Sequence, residues 1–243
     1  MANDIVLKNV TKRYKSTVAV DNLSLEIKGG EFVSLLGVNG AGKTTTIKML
    51  SCLTAPDEGD AFLGGHSVRT EASEVKKIIG VSPQETAVAP LLTVRENVEF
   101  IAGIYGFPKE KIKEKTEETL FSFGLTEEAD KKAKNLSGGM MRRLSIALAL
   151  VSEPEILFLD EPTLGLDVIA RRELWKKISA LKGKITVVLT THYLEEAEAL
   201  SDRIAVMKKG KLLTVGTADE IVAETGEKNF EDAFVALTSG GSL

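Results

Sequence analysis

Eight residues, GVNGAGKT, carry the groups needed to hold a phosphate. They extend from Gly37 to Thr44 and match the pattern G-x-x-x-x-G-K-[ST]. In such a loop the glycines let backbone N–H groups turn toward the β-phosphate, and the N-terminus of the following helix adds partial positive charge. The loop lies between an apolar strand-like run and a helix-like run, as this chemistry requires. The alternative, a structural turn with an incidental lysine, is disfavoured by that context.

The positions of this loop have expected roles in binding ATP and Mg²⁺. Lys43 bridges the β- and γ-phosphates, Thr44 offers its hydroxyl to Mg²⁺, and Thr45 donates to an α-phosphate oxygen. The predicted nucleotide-binding residues of the loop are Gly37, Val38, Asn39, Gly40, Ala41, Gly42, Lys43, Thr44 and Thr45.

An acidic pair completes the predicted site. The apolar run ILFLDEP ends in Asp160 and Glu161 before Pro162. Carboxylates at the C-terminal edge of a parallel sheet face the ligand crevice. We therefore expect Asp160 to hold the Mg²⁺ shell and Glu161 to orient or deprotonate the attacking water. An acidic pair ending a strand is commonplace by itself, and the upstream phosphate loop is what favours a functional role.

The elements that must position these groups indicate an α/β fold. The chain has 243 residues, 43% of them hydrophobic, which suits one large domain or one domain with an inserted lobe. The segments IVLKNVTKRY, TVAVDNLSLEI and EFVSLLG are rich in strand formers between turn residues, and we expect antiparallel strands there. The runs EILFLD and KITVVL are apolar throughout, which is typical of central strands in a parallel sheet.

Helical patterns dominate from Gln84 to about Leu150. Thr93 and Glu96 predict a capping box before the apolar stretch VEFIAGIYG, and Pro108 precedes a charged helical stretch. We interpret residues 85–150 as an inserted helical lobe. Residues 1–84 and 151–243 then form an N-terminal antiparallel β subdomain and a P-loop NTPase core with a mixed, mainly parallel sheet.

The last part of the chain predicts two further elements. RIAVMKKGKLLTVG predicts a hairpin that turns at Lys209 and Gly210. Residues 217–243 predict a short docking helix, because Phe230, Phe234 and Leu237 fall on one helical face.

Composition narrows the function classes. The formal net charge is −4, so no general field attracts nucleic acid or anionic lipid, and no nucleic-acid partner is expected. The apolar runs are shorter than the roughly 20 residues needed to span a bilayer. The first residues lack the features of a secretion signal, which predicts a cytosolic location. The only cysteine, Cys52, lies in an apolar run and is expected to be a buried filler.

The segment NLSGGMMRRLSIALAL narrows the choice among P-loop NTPases. Leu136 to Gly139 open an amphipathic helix ahead of ILFLDEP, and this combination resembles the signature of ATP-binding cassette (ABC) ATPases. Ser137, Gly138 and Gly139 at a helix start form a second anion site. The resemblance implies that two subunits pack head to tail, so that each ATP lies between one subunit's Lys43 loop and the other's signature segment.

Further residues follow the family's order. The resemblance implies that Tyr14 stacks on adenine, that Gln84 touches Mg²⁺ or the attacking water, that His192 contacts the γ-phosphate, and that Asp167 lies at the nucleotide. Each has an ordinary alternative: Tyr14 as a packing or surface residue, His192 as a structural histidine at a strand end, and Gln84 as a turn residue. His66 matches no element of the family.

Two segments bear on the subtype. Met140 stands where the family usually has glutamine, and Leu164-Gly165-Leu166-Asp167 replaces a more usual serine-alanine version. Both departures occur in ABC subfamilies, so they bear on subtype rather than on activity. The segment VSPQETAVAPLLTVRENVEFIAGIYG, its spacing to THYLEEAEALSDRIAVMKKGKLLTVGT and the short EDAFVALT ending resemble exporter ATPases that serve drug, lipid, polysaccharide or ion efflux permeases. The resemblance implies a homodimer or heterodimer with another ABC ATPase, and a location on the inner face of the membrane through separate permease subunits. The permease is expected to dock near Gln84 to Phe100.

Two other classes of protein are alternatives to a transporter ATPase. A soluble ABC ATPase acting on ribosomes or DNA usually carries a second cassette, a coiled coil or a zinc module, and no such segment is visible. A P-loop GTPase or kinase does not account for NLSGG or for the Asp-Glu pair.

Overall fold

The computed structural model of the chain describes residues 4–239. The strands of this part are β1 (Ile5–Tyr14), β2 (Thr17–Ile27), β3 (Phe32–Leu36), β4 (Glu58–Leu63), β5 (His66–Ser67), β6 (Ile79–Ser82), β7 (Ile156–Asp160), β8 (Thr186–Thr191), β9 (Arg203–Lys208) and β10 (Lys211–Gly216). The α-helices are α1 (Lys43–Leu50), α2 (Ala72–Ile78), α3 (Val94–Ile104), α4 (Lys109–Phe123), α5 (Gly138–Leu150), α6 (Val168–Ser179), α7 (Leu194–Leu200), α8 (Ala218–Thr225) and α9 (Phe230–Ser239).

An antiparallel sheet in the order β2-β1-β4-β5 contains the predicted strands β1 and β2. Ile5 pairs with Ile27 on one side and with Leu63 on the other. All three side chains are buried in one core cluster. The alternation of buried and exposed residues along β2 is typical of a sheet with one face on the core.

The second sheet has the order β10-β9-β3-β8-β7-β6. Strands β6, β7, β8, β3 and β9 pair in parallel, and β10 returns antiparallel through a turn at Lys209 (φ 47) and Gly210 (φ 82). The predicted mixed, mainly parallel sheet and its hairpin are confirmed. One assignment was wrong: EFVSLLG, which forms β3, lies in this sheet rather than in the antiparallel one. All five residues of β3 are buried, because helices cover both faces of a parallel sheet.

Residues 85–150 contain α3, α4 and α5, which share a core cluster with residues of β7 and β8. The predicted capping box at α3 is present, because the Thr93 hydroxyl accepts from the Glu96 N–H and the Glu96 carboxylate accepts from the Thr93 N–H. α4 begins directly after Pro108. Within residues 4–239, no helix is both long and apolar enough to cross a bilayer.

The C-terminal region differs from the prediction of one docking helix in 217–243. It forms two helices, because α8 ends at Gly226, whose φ of 71 lies in the left-handed region. Helix α9 begins at Phe230, and Phe234 and Leu237 pack with it against the core cluster that includes Leu36. The predicted end of the helix at 240–243 lies outside the described residues.

Candidate functional site: a phosphate cleft at the carboxyl edge of the central sheet

The loop between β3 and α1 presents its backbone to a ligand. Gly42 precedes α1 with a φ of 104, and a Cβ there would lie 2.6 Å from the carbonyl oxygen of Ala19. A Cβ at Gly37 would clash with the carbonyl oxygen of Met207. The residue at the N-cap of α1 is Gly42, which has no side chain to cap the helix, and the first turn of α1 holds no acidic residue. The N–H groups at the start of α1 are therefore free for an anion.

This loop forms one wall of a cleft of about 300 Å³. The opposite wall comes from the ends of β6, β7 and β8, which meet at the same edge of the sheet. The cleft is lined by Asn39, Gly40, Ala41, Gly42, Lys43, Thr44, Thr45, Gln84, Glu161, Leu164 and His192.

Lys43 is the central cation of the cleft. Its side chain is buried, with Nζ donating to the carbonyl oxygen of Gly37 at 2.6 Å and lying 3.4 Å from Oε1 of Glu161. A buried charge needs such partners, because isolated it would be strongly penalised. Phosphate oxygens can replace them, so this arrangement holds the lysine ready for a polyphosphate.

Asp160 faces the hydroxyl of Thr44. The Thr44 Oγ1 donates to Oδ1 of Asp160 at 3.1 Å, and Thr190 Oγ1 donates to the same carboxylate oxygen at 2.5 Å. A hydroxyl and a carboxylate beside a phosphate loop are the oxygen ligands that Mg²⁺ takes, with phosphate oxygens and water completing its shell. The donor set therefore fits Mg²⁺.

Glu161 lies between the lysine and the histidine of the cleft. Its Oε2 is 2.7 Å from Nδ1 of His192. Its backbone has a φ of 49, in the left-handed region that non-glycine residues rarely adopt. The N–H of Glu161 donates to Oγ1 of Thr190 at 2.9 Å, which fixes that unusual conformation at the end of β7.

A second cleft, of about 470 Å³, surrounds the N-terminus of α5. Ser137 caps this helix by accepting from the N–H of Met140. Gly138 and Gly139 line the cleft together with Asp167, whose carboxylate caps α6 by accepting from the N–H groups of Ile169 and Ala170. The lining residues of this cleft and of the Lys43 cleft do not overlap, so the two predicted anion sites lie at separate places on the chain.

Comparison with known proteins decides the family. Residues 20–164 match the family described as ABC transporter. The chain is 41% identical over 240 residues to daunorubicin resistance ATP-binding protein DrrA3 of Streptomyces coeruleorubidus, covering 98% of this chain and 75% of the relative. It is 39% identical to linearmycin resistance ATP-binding protein LnrL of Bacillus subtilis (strain 168), covering 96% and 74%. The chain belongs to the ABC transporter family.

A solved structure extends the comparison to the nucleotide-bound state. The ATP-binding cassette MJ0796, in its dimeric post-hydrolysis state with ADP and Pi, is 34% identical, with a TM-score of 0.79 over 88% of this chain and 98% of that chain. The predictions of an ABC ATPase fold and of ATP binding and hydrolysis are confirmed. The chain is an ATP-hydrolysing, nucleotide-binding subunit of an exporter-type ABC transporter, and the soluble alternative is disfavoured.

The remaining predicted residues of this ABC ATPase lie at different places. Gln84 and His192 line the Lys43 cleft. Tyr14 (45% exposed) and Val38 (52% exposed) are at the surface and are not among the lining residues of that cleft. Lys12 holds its ammonium 5.6 Å from the centre of the Tyr14 ring. The stacking role of Tyr14 stays a prediction.

Two residues at this ABC ATPase site were missed from the sequence. Thr190 bonds both acidic residues of the predicted site, Asp160 and Glu161, and Leu164 forms part of the lining of the Lys43 cleft. The sequence signal that could have identified Thr190 is a hydroxyl side chain near the end of the apolar strand β8. The neighbouring strand β7 ends in a carboxylate at the same edge of the sheet. Register decides the contact, because Asp160 pairs with Thr190 across β7 and β8.

Proposed function

We propose that the chain works as a pair of nucleotide-binding subunits, two copies or this chain with another ABC ATPase, closing on two ATP molecules. Each ATP lies between the Lys43 cleft of one subunit and the segment Ser137 to Gly139 of the other. The observation that carries this proposal is that the two predicted anion sites line separate clefts on one chain. The dimeric state of MJ0796 with ADP and Pi supports it.

Within this dimer we assign the chemistry to the Lys43 cleft. Lys43 holds the phosphates, Thr44 and Asp160 hold Mg²⁺, and Gln84 senses the ion or the attacking water. Bound Mg²⁺ supplies charge neutralisation of the phosphate oxygens. Glu161 assists attack by accepting the proton of the water, and His192 holds the carboxylate through its 2.7 Å contact and reaches the γ-phosphate.

In this proposal the closing movement of the dimer is transmitted to other chains. Residues 85–150 act as the helical lobe, while 1–84 and 151–243 act as the nucleotide-binding body. ATP-driven closure moves a separate membrane-spanning permease, which holds the subunit at the cytoplasmic face. The resistance named for DrrA3 and LnrL supports a drug-like compound as the exported class.

The test of this function is capture of the partner. Tagged Glu161→Gln protein is incubated with MgATP in detergent-solubilised host membranes, and bound proteins are identified by mass spectrometry. We expect one multi-spanning membrane protein in stoichiometric amount. Tagged Lys43→Ala protein is the matched control. It should capture less of the membrane protein, because in this proposal the permease binds the ATP-closed dimer. Ribosomal or DNA-repair proteins without a membrane protein would contradict the proposal.

A docking surface for this permease lies between the body and the lobe. A mainly apolar cleft of about 330 Å³ is lined by residues of β6 and α5 and by residues in and directly after α3, among them Val81, Ile101 and Tyr105. Leu91 (67% exposed) and Phe100 lie exposed in the segment that was predicted to dock. An apolar groove of this kind suits a short helix of the permease.

Leu91→Glu is expected to reduce permease-stimulated ATP hydrolysis several-fold while leaving the basal rate unchanged. A charge on the exposed Leu91 weakens an apolar contact with the partner at little cost to the isolated fold. Val88 is a poorer position, because it packs against the core of the lobe and a charge there also disturbs folding. ATPase assays with and without the captured permease measure the effect.

Val235→Glu is the matched control for this surface. Val235 is exposed on α9 and is not among the residues that line the groove, so both hydrolysis rates should stay normal. Unchanged stimulation in Leu91→Glu would contradict the docking site. Equal loss in both variants would show a general effect of added charge.

A further inference from the structure

Arg142 on α5 is buried behind the catalytic edge of the sheet. Among the described residues, its guanidinium donates to backbone carbonyls alone. Nε reaches the carbonyl oxygen of Pro162 at 2.8 Å, and Nη2 reaches that of Asp160 at 2.6 Å. Nη1 reaches the carbonyl oxygens of Pro83 at 2.5 Å and of Gln84 at 3.2 Å. One side chain of the lobe thus joins the segments that follow β6 and β7.

Two of these contacts bracket Glu161. The carbonyls of Asp160 and Pro162 belong to the residues immediately before and after it. Glu161 has a left-handed φ of 49, and such a conformation persists only where its surroundings over-determine it. Thr190 holds the N–H of Glu161 from one side, and Arg142 holds the flanking carbonyls from the other. Hydrogen bonds with two side chains, Thr190 and Arg142, therefore stabilise the unusual backbone that orients the Glu161 carboxylate.

The cation is retained here although burial opposes it. Within residues 4–239, Arg142 forms no direct ion pair, since its hydrogen bonds go to carbonyls. Burial lowers the pKa of Arg142 to about 10, against the opposing effect of the carboxylates of Asp160, Glu196 and Glu161. It stays charged at neutral pH. The planar fork of an arginine reaches several carbonyls at once, whereas a lysine ammonium is a single point.

We propose that Arg142 is a positioning residue that sets the orientation of Glu161 and couples it to the helical lobe. Since α5 begins at the signature segment, movement of that segment changes the carbonyl contacts on both sides of Glu161. The same guanidinium holds the backbone of Gln84, so both groups that face the attacking water depend on it. The inference rests on the proposed catalytic role of Glu161.

Arg142→Lys is expected to lower kcat about 10-fold while the affinity for ATP changes by less than about twofold. The phosphate contacts remain, and only the aim of Glu161 is lost. ATPase kinetics give kcat, and nucleotide titration of the same preparation gives the affinity for ATP. The number of nucleotides bound per chain gives the active fraction by which kcat is corrected. Arg142→Gln keeps hydrogen-bond donors without the charge and should show the same split, which covers the case in which the lysine variant does not fold.

Leu144→Ala is the matched control. Leu144 lies fully buried on the same helix, and its side chain has no polar atom that could hydrogen-bond to the catalytic segments. It should lower the melting temperature but leave the turnover per bound nucleotide unchanged. Normal kcat in Arg142→Lys, a parallel loss of kcat and ATP affinity, or an equal loss in Leu144→Ala would each overturn the inference. Normal kcat in Glu161→Gln would instead overturn the proposed function.

Discussion

Glu161→Gln is expected to lower the rate of ATP hydrolysis about 100-fold or more while ATP binding is retained. The carboxylate is buried, 3.4 Å from the Lys43 ammonium and 2.7 Å from Nδ1 of His192. An amide of the same shape does not accept the proton of the attacking water. Loss of a positioned base of this kind typically costs about 10²–10⁴-fold. Phosphate release in single-turnover reactions measures the chemical step.

Glu153→Gln is the matched control for this variant. Glu153 also has a left-handed backbone, with a φ of 54, but it is exposed and pairs with Lys115. The Glu153→Gln variant should hydrolyse ATP at the normal rate. Near-normal turnover in Glu161→Gln would show that Glu161 is not the base, and weak ATP binding in that variant would assign it to nucleotide binding instead.

The features that were predicted from the sequence are those fixed within a few residues. The phosphate loop is recognisable because Gly37, Gly42 and Lys43 occur at a fixed spacing between a strand and a helix. The hairpin at Lys209 and Gly210 follows from turn residues alone. The capping box of α3 is similarly local, since its two partners are three residues apart. In these places the local preference and the fold agree.

The features that were missed depend on contacts between distant parts of the chain. The local sequence of β3 resembles that of the antiparallel strands before it. Only its pairing with β8 and β9 places it in the central sheet. Arg142 meets its carbonyl partners across 18 to 59 residues of sequence. The Thr190 contact with Asp160 spans 30 residues. A helix with two adjacent arginines does not reveal which of them turns inward, because packing of α5 on the sheet decides it.

Lys43→Ala is expected to abolish productive nucleotide binding. The lysine is the buried cation of the phosphate cleft, and charge-assisted hydrogen bonds to phosphate are among the strongest in proteins. Truncating one partner of a buried charge pair costs about 2–5 kcal/mol, much of it because the other charge is left unpaired. ATP affinity should therefore fall about 30-fold or more. Titration with a fluorescent ATP analogue measures it.

The matched control for this prediction lies one and a half turns along the same helix. Lys48 is an exposed lysine of α1, and Lys48→Ala removes a positive charge near the cleft without touching its lining. If long-range charge governed binding, both alanine variants would weaken it and added salt would weaken the parent protein to a similar degree. Loss confined to Lys43→Ala, insensitive to moderate salt, assigns binding to direct contact between this ammonium and the phosphates. Retention of normal affinity in Lys43→Ala would contradict the phosphate site itself.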